Sequence, residues 1–111
     1  MEQDQAFPTI VLTPDWQDTV VYSANGPQPT ILYEKDGMKV IVAGLEAGGR
    51  IPIHPEALSV YHFLVGEGWM TVDGERFAVS PGMIAVLPHG AARGLEADTR
   101  LAFLAVRQSR E

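Results

Sequence analysis

The side chains best suited to binding or transforming a small molecule lie in two short clusters, one around His54 and one around Arg93. His54 and Glu56 are separated by one residue, so an extended backbone would place both side chains on the same face. Imidazole nitrogens and carboxylate oxygens are ligands of divalent transition metals. With His62 or His89 as a third donor, this pair would make a metal site, which is one hypothesis for this chain.

Other chemistry finds less support in the sequence. The chain has no cysteine, which excludes disulfides, thiolate metal ligands and a cysteine nucleophile. No nucleophile stands beside a base, no glycine-rich phosphate loop occurs, and no pair of catalytic carboxylates can be read from the spacing. The sequence therefore assigns no catalytic residue.

Composition narrows the class of protein and of partner. A chain of 111 residues that is 46% hydrophobic is expected to form one domain around one core, spanning residues 1–111. A net charge of -6, with 14 acidic and 8 basic residues, argues against a nucleic-acid partner. No apolar run is long enough to cross a membrane, and the N-terminal segment has no signal-peptide pattern. We expect a cytoplasmic protein, because cysteine is absent and a reducing compartment fits that absence.

The elements that position these residues are predicted to be strands. Two Asp-Gly pairs, Asp36-Gly37 and Asp73-Gly74, are typical of two-residue hairpin turns. No window shows a sustained 3.6-residue apolar period, and eight prolines interrupt most candidate helices. The predicted strands are Thr9–Leu12, Thr19–Tyr22, Thr30–Lys35, Met38–Gly44, Ser59–Leu64, Gly68–Val72, Glu75–Val79, Met83–Leu87 and Arg100–Val106. Short strands at such intervals predict an all-β sandwich or closed barrel.

Two glycine-bounded segments then suggest a family. Residues 49–66, GRIPIHPEALSVYHFLVG, and residues 82–93, GMIAVLPHGAAR, carry the glycine and proline frame of a two-motif barrel. This frame resembles that of the cupin superfamily, whose members are small jelly-roll β-barrels. The resemblance implies a cupin-type jelly roll (double-stranded β-helix), with N-terminal strands in residues 1–43 and the two motifs in residues 44–107.

In that family, two histidines and a glutamate of the first motif and a histidine of the second converge on a divalent metal such as Fe, Mn, Ni or Zn. In this sequence His54 matches the second histidine, and Pro52 falls where the first would be. Ser59 replaces the glutamate and Arg93 replaces the final histidine. A guanidinium is a permanent cation that repels a metal ion. The resemblance thus implies a degenerate metal site, and no metal cofactor is favoured.

We interpret the chain as a small-molecule binding cupin in which Tyr61 and Phe63 line the barrel. His54, Ser59 and Arg93 are the expected polar anchors, and Arg93 indicates an anionic organic ligand. Replacing Arg93 by alanine is then expected to weaken binding while leaving folding intact. Two alternatives stay open. One is a metal-dependent cupin enzyme, an oxygenase, isomerase or lyase, using His54 with unconventional ligands. The other is an assembly or regulatory subunit.

The sequence also predicts a homodimer. The segments Val40–Val42 and Leu101–Val106 are apolar on both faces of their strands. A barrel this small cannot bury two apolar faces by itself, and the family commonly pairs barrels sheet to sheet.

Overall fold

The structure is a computed structural model that describes residues 10–108, and regular backbone pairing in this range is almost entirely between strands. The alternation of apolar and polar residues over short runs accounts for this pattern. The ten strands are β1 (Tyr22–Ser23), β2 (Thr30–Lys35), β3 (Met38–Leu45), β4 (Arg50–Pro55), β5 (Ser59–Val65), β6 (Gly68–Val72), β7 (Glu75–Val79), β8 (Ile84–Leu87), β9 (Ala92–Ala97) and β10 (Leu101–Gln108).

Both Asp-Gly turns form as predicted. Asp36 and Asp73 have φ of 59° and 48°, and the glycines that follow them are also left-handed, as a two-residue hairpin turn requires. The first turn joins β2 to β3 with Glu34 opposite Lys39, and the second joins β6 to β7. These confirmed hairpins set the register of two of the six strands in one sheet and two of the four in the other.

The strands form two sheets that face one another. The larger sheet has the order β1-β3-β10-β5-β8, with β2 also paired to β3, and the smaller has the order β4-β9-β6-β7. Of the strand pairs, β1 with β3 is parallel and the others are antiparallel. This arrangement is the predicted jelly-roll barrel.

The core lies between the sheets and is built by alternate residues. On β5 and β10 the inward pairs are Tyr61 with Ala105 and Phe63 with Phe103. The rings of Tyr61, Phe63 and Phe103 pack with centroids 5.5 to 6.3 Å apart. Leu95 and Met70, paired across β9 and β6, face them from the smaller sheet. The predicted face of Ser59, Tyr61 and Phe63 is therefore confirmed, with His62 on the opposite face.

The prediction fails at the N-terminal end. Residues 10–12 form no strand, and the first residue of that predicted strand, Thr9, lies outside the described residues. Ile10 and Leu12 are largely exposed, so their β-propensity finds no partner strand. Of the second predicted strand, Thr19–Tyr22, only Tyr22 lies in β1. Just before it, Trp16–Asp18 forms a 3-10 helix, and the side chain of its N-cap residue, Asp15, accepts a hydrogen bond from Gln17 N–H. No helix among residues 10–108 is long and apolar enough to span a lipid bilayer.

Two strands were missed, and they carry much of the site. β4 contains two prolines, which usually argue against a strand, and β9 contains small residues and Gly94. β4 tolerates Pro52 because its pairing with β9 is irregular between Ile51 and His54. Beyond this irregularity His54 lies opposite Arg93. The missed strands therefore bring together the two clusters that the sequence had singled out.

Candidate functional site

A cavity of about 140 Å³ lies between the inner faces of the two sheets. Most of its wall is apolar, and its polar side chains come from β4, β5, β9, β10 and the segment that follows β4. The lining residues are Pro27, Pro29, Ile41, Ala43, Ile51, His54, Glu56, Tyr61, Met70, Arg93, Gly94, Leu95, Phe103, Ala105 and Arg107. We call this space the barrel cavity.

The polar residues of the barrel cavity gather in one layer. Arg107 lies opposite Ser59 on the larger sheet, and His54 lies opposite Arg93 on the smaller sheet. The next inward residues on the same strands, among them Ala105 and Leu95, are apolar apart from Tyr61. The cavity thus has a charged end and an apolar end.

Arg93 is 1% exposed and is held by a complete set of hydrogen bonds. Its Nε donates to Ala91 O, and one terminal nitrogen donates to Ala57 O at 3.2 Å and to Ser59 Oγ at 2.9 Å. The other terminal nitrogen donates to Glu56 O and Pro88 O. A guanidinium has five N–H donors, so every donor of Arg93 is engaged by the protein.

These contacts change the role that the sequence predicted for Arg93. A guanidinium without a free donor cannot form the bidentate pair with an anion that we had expected. It contributes its charge instead: within residues 10–108 it forms no contact ion pair, but its charge acts on Glu56 and lowers the pKa of that carboxyl. The structure also leads to the opposite expectation for folding, since removing Arg93 would break five hydrogen bonds, three of them buried and two partly buried.

Ser59 is equally buried, and its hydroxyl is used within the protein. It donates to Ala57 O at 2.8 Å and accepts from Arg93. Ser59 does not line the barrel cavity. The predicted anchor is thus placed next to Arg93, where it supports the guanidinium.

At the rim of the barrel cavity, His54, Glu56 and Arg107 form a partly exposed group. Glu56 Oε2 lies 3.2 Å from an Arg107 nitrogen and 3.9 Å from His54 Nε2. His54 Nδ1 lies 2.9 Å from Pro52 O. Because a carbonyl can only accept, we place the proton on Nδ1, which leaves Nε2 of the neutral ring as an acceptor.

The groups around Glu56 lower the pKa of its carboxyl. Burial raises its pKa, but the hydrogen bond from Ala57 N–H and the positive charges of Arg107, His54 when protonated, and Arg93 lower it by more. The net effect is a pKa below the ordinary value. Glu56 is therefore a carboxylate at neutral pH and offsets one of the two nearby guanidinium charges.

The two aromatic residues predicted to line the site are separated by the fold. Tyr61 lines the barrel cavity beside Met70 and Phe103. Phe63 is one inward position further along β5 and instead lines a separate cleft between β7 and β8. The structure thus brings His54, Arg93 and Tyr61 to one cavity and leaves Phe63 and Ser59 outside its lining.

Comparison with solved structures identifies this architecture. A cupin superfamily protein from Desulfitobacterium hafniense has a TM-score of 0.71 and 15% identity, over 76% of this chain and 78% of that one. The chain has the cupin fold. An RmlC-like cupin from Shewanella frigidimarina gives a TM-score of 0.71 at 17% identity, with 78% of each chain covered. TT1209 from Thermus thermophilus gives 0.79 at 23% identity, over 89% of this chain and 98% of that one.

Sequence comparison adds nothing to this fold assignment, because no protein-family profile and no curated protein matches the chain. All three structural likenesses are below 25% identity. They establish how the chain folds, and the site must be argued from its own residues.

The cupin metal position does not fit a divalent ion in this chain. Of the four positions inferred from the resemblance, only His54 offers a metal donor. Arg93 fills the space between the loops with a fixed positive charge, and the Ser59 hydroxyl is bonded to it. Since a cation needs neutral or anionic donors to replace its hydration, a divalent metal ion would be repelled here.

The displaced metal site built on His54 and Glu56 is not assembled either. Among residues 10–108, no group of three or more His, Asp or Glu side chains could hold a metal ion. His62 lies on the outer face of β5, and His89 is exposed in the turn after β8. The third donor of that hypothesis is therefore missing.

Sequence reasoning missed Arg107 as a cavity residue. It lies on β10 at the same parity as Phe103 and Ala105, which are inward. Alternation along the last predicted strand, extended by one residue, would have placed it on the core face. The pairing of Arg107 with Glu56 could not be predicted from local sequence patterns, because the two residues are 51 positions apart in the chain.

Proposed function

We propose that this cupin barrel binds a small organic acid in the barrel cavity, with the carboxylate in the charged layer and the carbon skeleton against the apolar wall. The observation that carries the proposal is the buried charge of Arg93. A buried ion is costly unless an opposite charge lies near, and the one carboxylate that lines the cavity, Glu56, acts on Arg93 while it is in ion-pair contact with Arg107. An anionic ligand would supply the second negative charge for these two guanidinium groups.

The local balance of charge supports an anion. Two guanidinium groups, Arg93 and Arg107, and a single carboxylate, Glu56, line the barrel cavity. The cavity is thus locally positive in a chain whose net charge is -6. A positive cleft with low-dielectric walls attracts an anion despite the opposite charge of the whole protein.

The size and wall of the cavity define the body of the ligand. The volume of about 140 Å³ is close to that of apolar protein cavities known to take benzene, about 150 Å³. Ile41, Leu95 and Phe103 would contact the apolar part of such a molecule. The proposed ligand class is therefore a compact aromatic or branched carboxylic acid.

Thermal-shift measurements followed by titration calorimetry test the proposal. We expect at least one of acetate, isovalerate, benzoate and phenylacetate to raise the melting temperature, with benzoate stronger than its uncharged counterpart benzamide. Binding should weaken at high salt, because part of the affinity comes from the field of partly exposed charges. The proposal is wrong if none of the four acids binds, or if benzamide binds as tightly as benzoate.

A further inference from the structure

Tyr61 is a buried residue whose hydroxyl has no hydrogen-bond partner in the described part of the chain. The residue is 6% exposed and lines the barrel cavity, where its ring packs against Phe63 and Phe103. Within residues 10–108 its hydroxyl makes no hydrogen bond. Native proteins satisfy nearly all buried polar groups, because an unsatisfied one destabilises the fold. An exception at the wall of a cavity therefore points to what enters the cavity.

The residues paired with Tyr61 across the sheet, Ala105 and Ala85, have no polar side-chain group. Ala105 lies opposite Tyr61 on β10, and Ile41 lies opposite Ala105 on β3. Ser59, the preceding inward residue on β5, shows the contrast, because its hydroxyl both donates and accepts within the protein. One buried hydroxyl of β5 is fully used by the described structure, and the next is left for a molecule in the cavity.

We propose that Tyr61 determines specificity at this site by donating a hydrogen bond from its hydroxyl to a carboxylate oxygen of the bound acid. The inference rests on the proposed function and deepens it. Arg93 supplies charge but has no free donor, so a direct hydrogen bond must come from another group on the wall. A phenol donating to a carboxylate makes a charge-assisted bond, which is stronger than one between neutral groups. The site should therefore prefer a carboxylic acid over a hydrocarbon of the same shape.

The test compares Tyr61→Phe with the wild type, using whichever of acetate, isovalerate, benzoate and phenylacetate binds the wild type most tightly. We expect the dissociation constant to rise about 10- to 100-fold, the range for a hydrogen bond to a charged group. The melting temperature of the ligand-free variant should equal or exceed that of the wild type, because the change removes an unsatisfied hydroxyl. A variant that only lost packing would melt lower.

Tyr33→Phe is the matched control, since it makes the same chemical change outside the barrel cavity. It should leave the affinity unchanged. If Tyr61→Phe binds the acid within about twofold of the wild type, the role of Tyr61 is wrong while acid binding stands. If Tyr61→Phe melts well below the wild type, the hydroxyl is a structural group and the inference is again wrong. If the wild type binds none of the four acids, the proposed function itself fails.

Discussion

The barrel cavity and the cleft between β7 and β8 are formed by the same two sheets, yet they differ in chemistry. The barrel cavity has two arginines, a glutamate and a histidine at one end. The cleft, about 420 Å³, has only apolar side chains. Its lining residues are Phe63, Met70, Val72, Phe77, Val79, Met83, Ile84, Ala85, Val86, Leu87 and Pro88.

The difference in lining suits the two openings to different occupants. Charged groups at the barrel cavity are stable in water and fit the polar ligand proposed for it. The cleft lies between the edge strands of the two sheets, and at its margin Ile84 and Val86, on the face of β8 that they share with His62 of β5, are each 64% exposed. An exposed apolar edge is a site for pairing with another chain. We propose that a second copy of this chain covers β8, in line with the homodimer expected from the sequence.

The largest expected effect is a loss of folding stability when Arg93, at the charged end of the barrel cavity, is replaced. Arg93→Met should destabilise the fold by about 3–5 kcal/mol, because it breaks five buried or partly buried hydrogen bonds and leaves carbonyl groups around the cavity without their donor. Urea denaturation followed by circular dichroism measures the change.

Arg107→Met is the control for this prediction. It removes the same charge from the barrel cavity, but Arg107 is partly exposed and pairs with Glu56 alone among the described residues. Its cost should stay at or below about 1 kcal/mol, as for other exposed ion pairs. Equal costs for the two variants would show that Arg93 does not hold the loops together.

The proposed partner for the apolar cleft is tested by measuring the assembly state of the protein. The double variant Ile84→Lys with Val86→Lys should weaken self-association by at least roughly 100-fold, about 2.7 kcal/mol, because two lysines would have to be buried against the partner. Sedimentation velocity at micromolar concentration should show the wild type at twice the 12.1 kDa chain mass and the variant at the single mass.

Ile53→Lys provides the matched comparison for β8. Ile53 is 62% exposed, close to the exposure of Ile84, but lies on the smaller sheet. This variant should remain dimeric. A wild type that sediments only as a monomer would remove the proposed partner for the cleft, and an Ile53→Lys monomer would move the interface to the other sheet.

The smallest change in folding stability is expected from Glu56→Gln, at the rim of the barrel cavity. The lowered pKa of Glu56 means that the folded state favours the ionised form, so Glu56 stabilises the protein above the pKa of the unfolded chain, ordinarily 4.5. That stabilisation is lost as pH falls through the lower folded pKa. The variant should be less stable than the wild type at pH 7 by at most about 1 kcal/mol.

The difference between the two proteins should shrink below pH 4.5 and vanish in stronger acid. Denaturant titrations at a series of pH values measure it. A difference that stays constant with pH would mean that the carboxylate charge of Glu56 contributes nothing, and that Arg107 and Ala57 N–H do not favour its ionised form.

The sequence predicted those parts of the fold that depend on local signals. Asp36-Gly37 and Asp73-Gly74 define their turns through the residues themselves, and alternation then fixes the paired strands. β4 was not predicted, because Pro52 and Pro55 argue against a strand. The strand accommodates these prolines through its irregular pairing with β9, which the sequence does not indicate. The 3-10 helix Trp16–Asp18 was not predicted, because it is a single short turn whose Asp15 cap depends on conformation and not on a repeating sequence pattern.

The site was predictable in position but not in role. The glycine frame correctly brought His54, Ser59 and Arg93 together, because backbone geometry follows the spacing of turns. The partners of Arg93 are mostly backbone carbonyls, which every residue carries and which leave no trace in the sequence. An arginine that binds a ligand and an arginine that is bound by the protein therefore look the same in sequence.

The four carbonyls and one hydroxyl around Arg93 resemble the oxygen cage of a cation-binding protein, with the cation covalently attached to the chain. A cage filled from an external pool is occupied only as far as that pool allows, and its folding free energy varies with the ion concentration. Here the charge arrives with the polypeptide at a fixed ratio of one to one. The five contacts that Arg93 makes with the loops at the cavity therefore require no cation from solution.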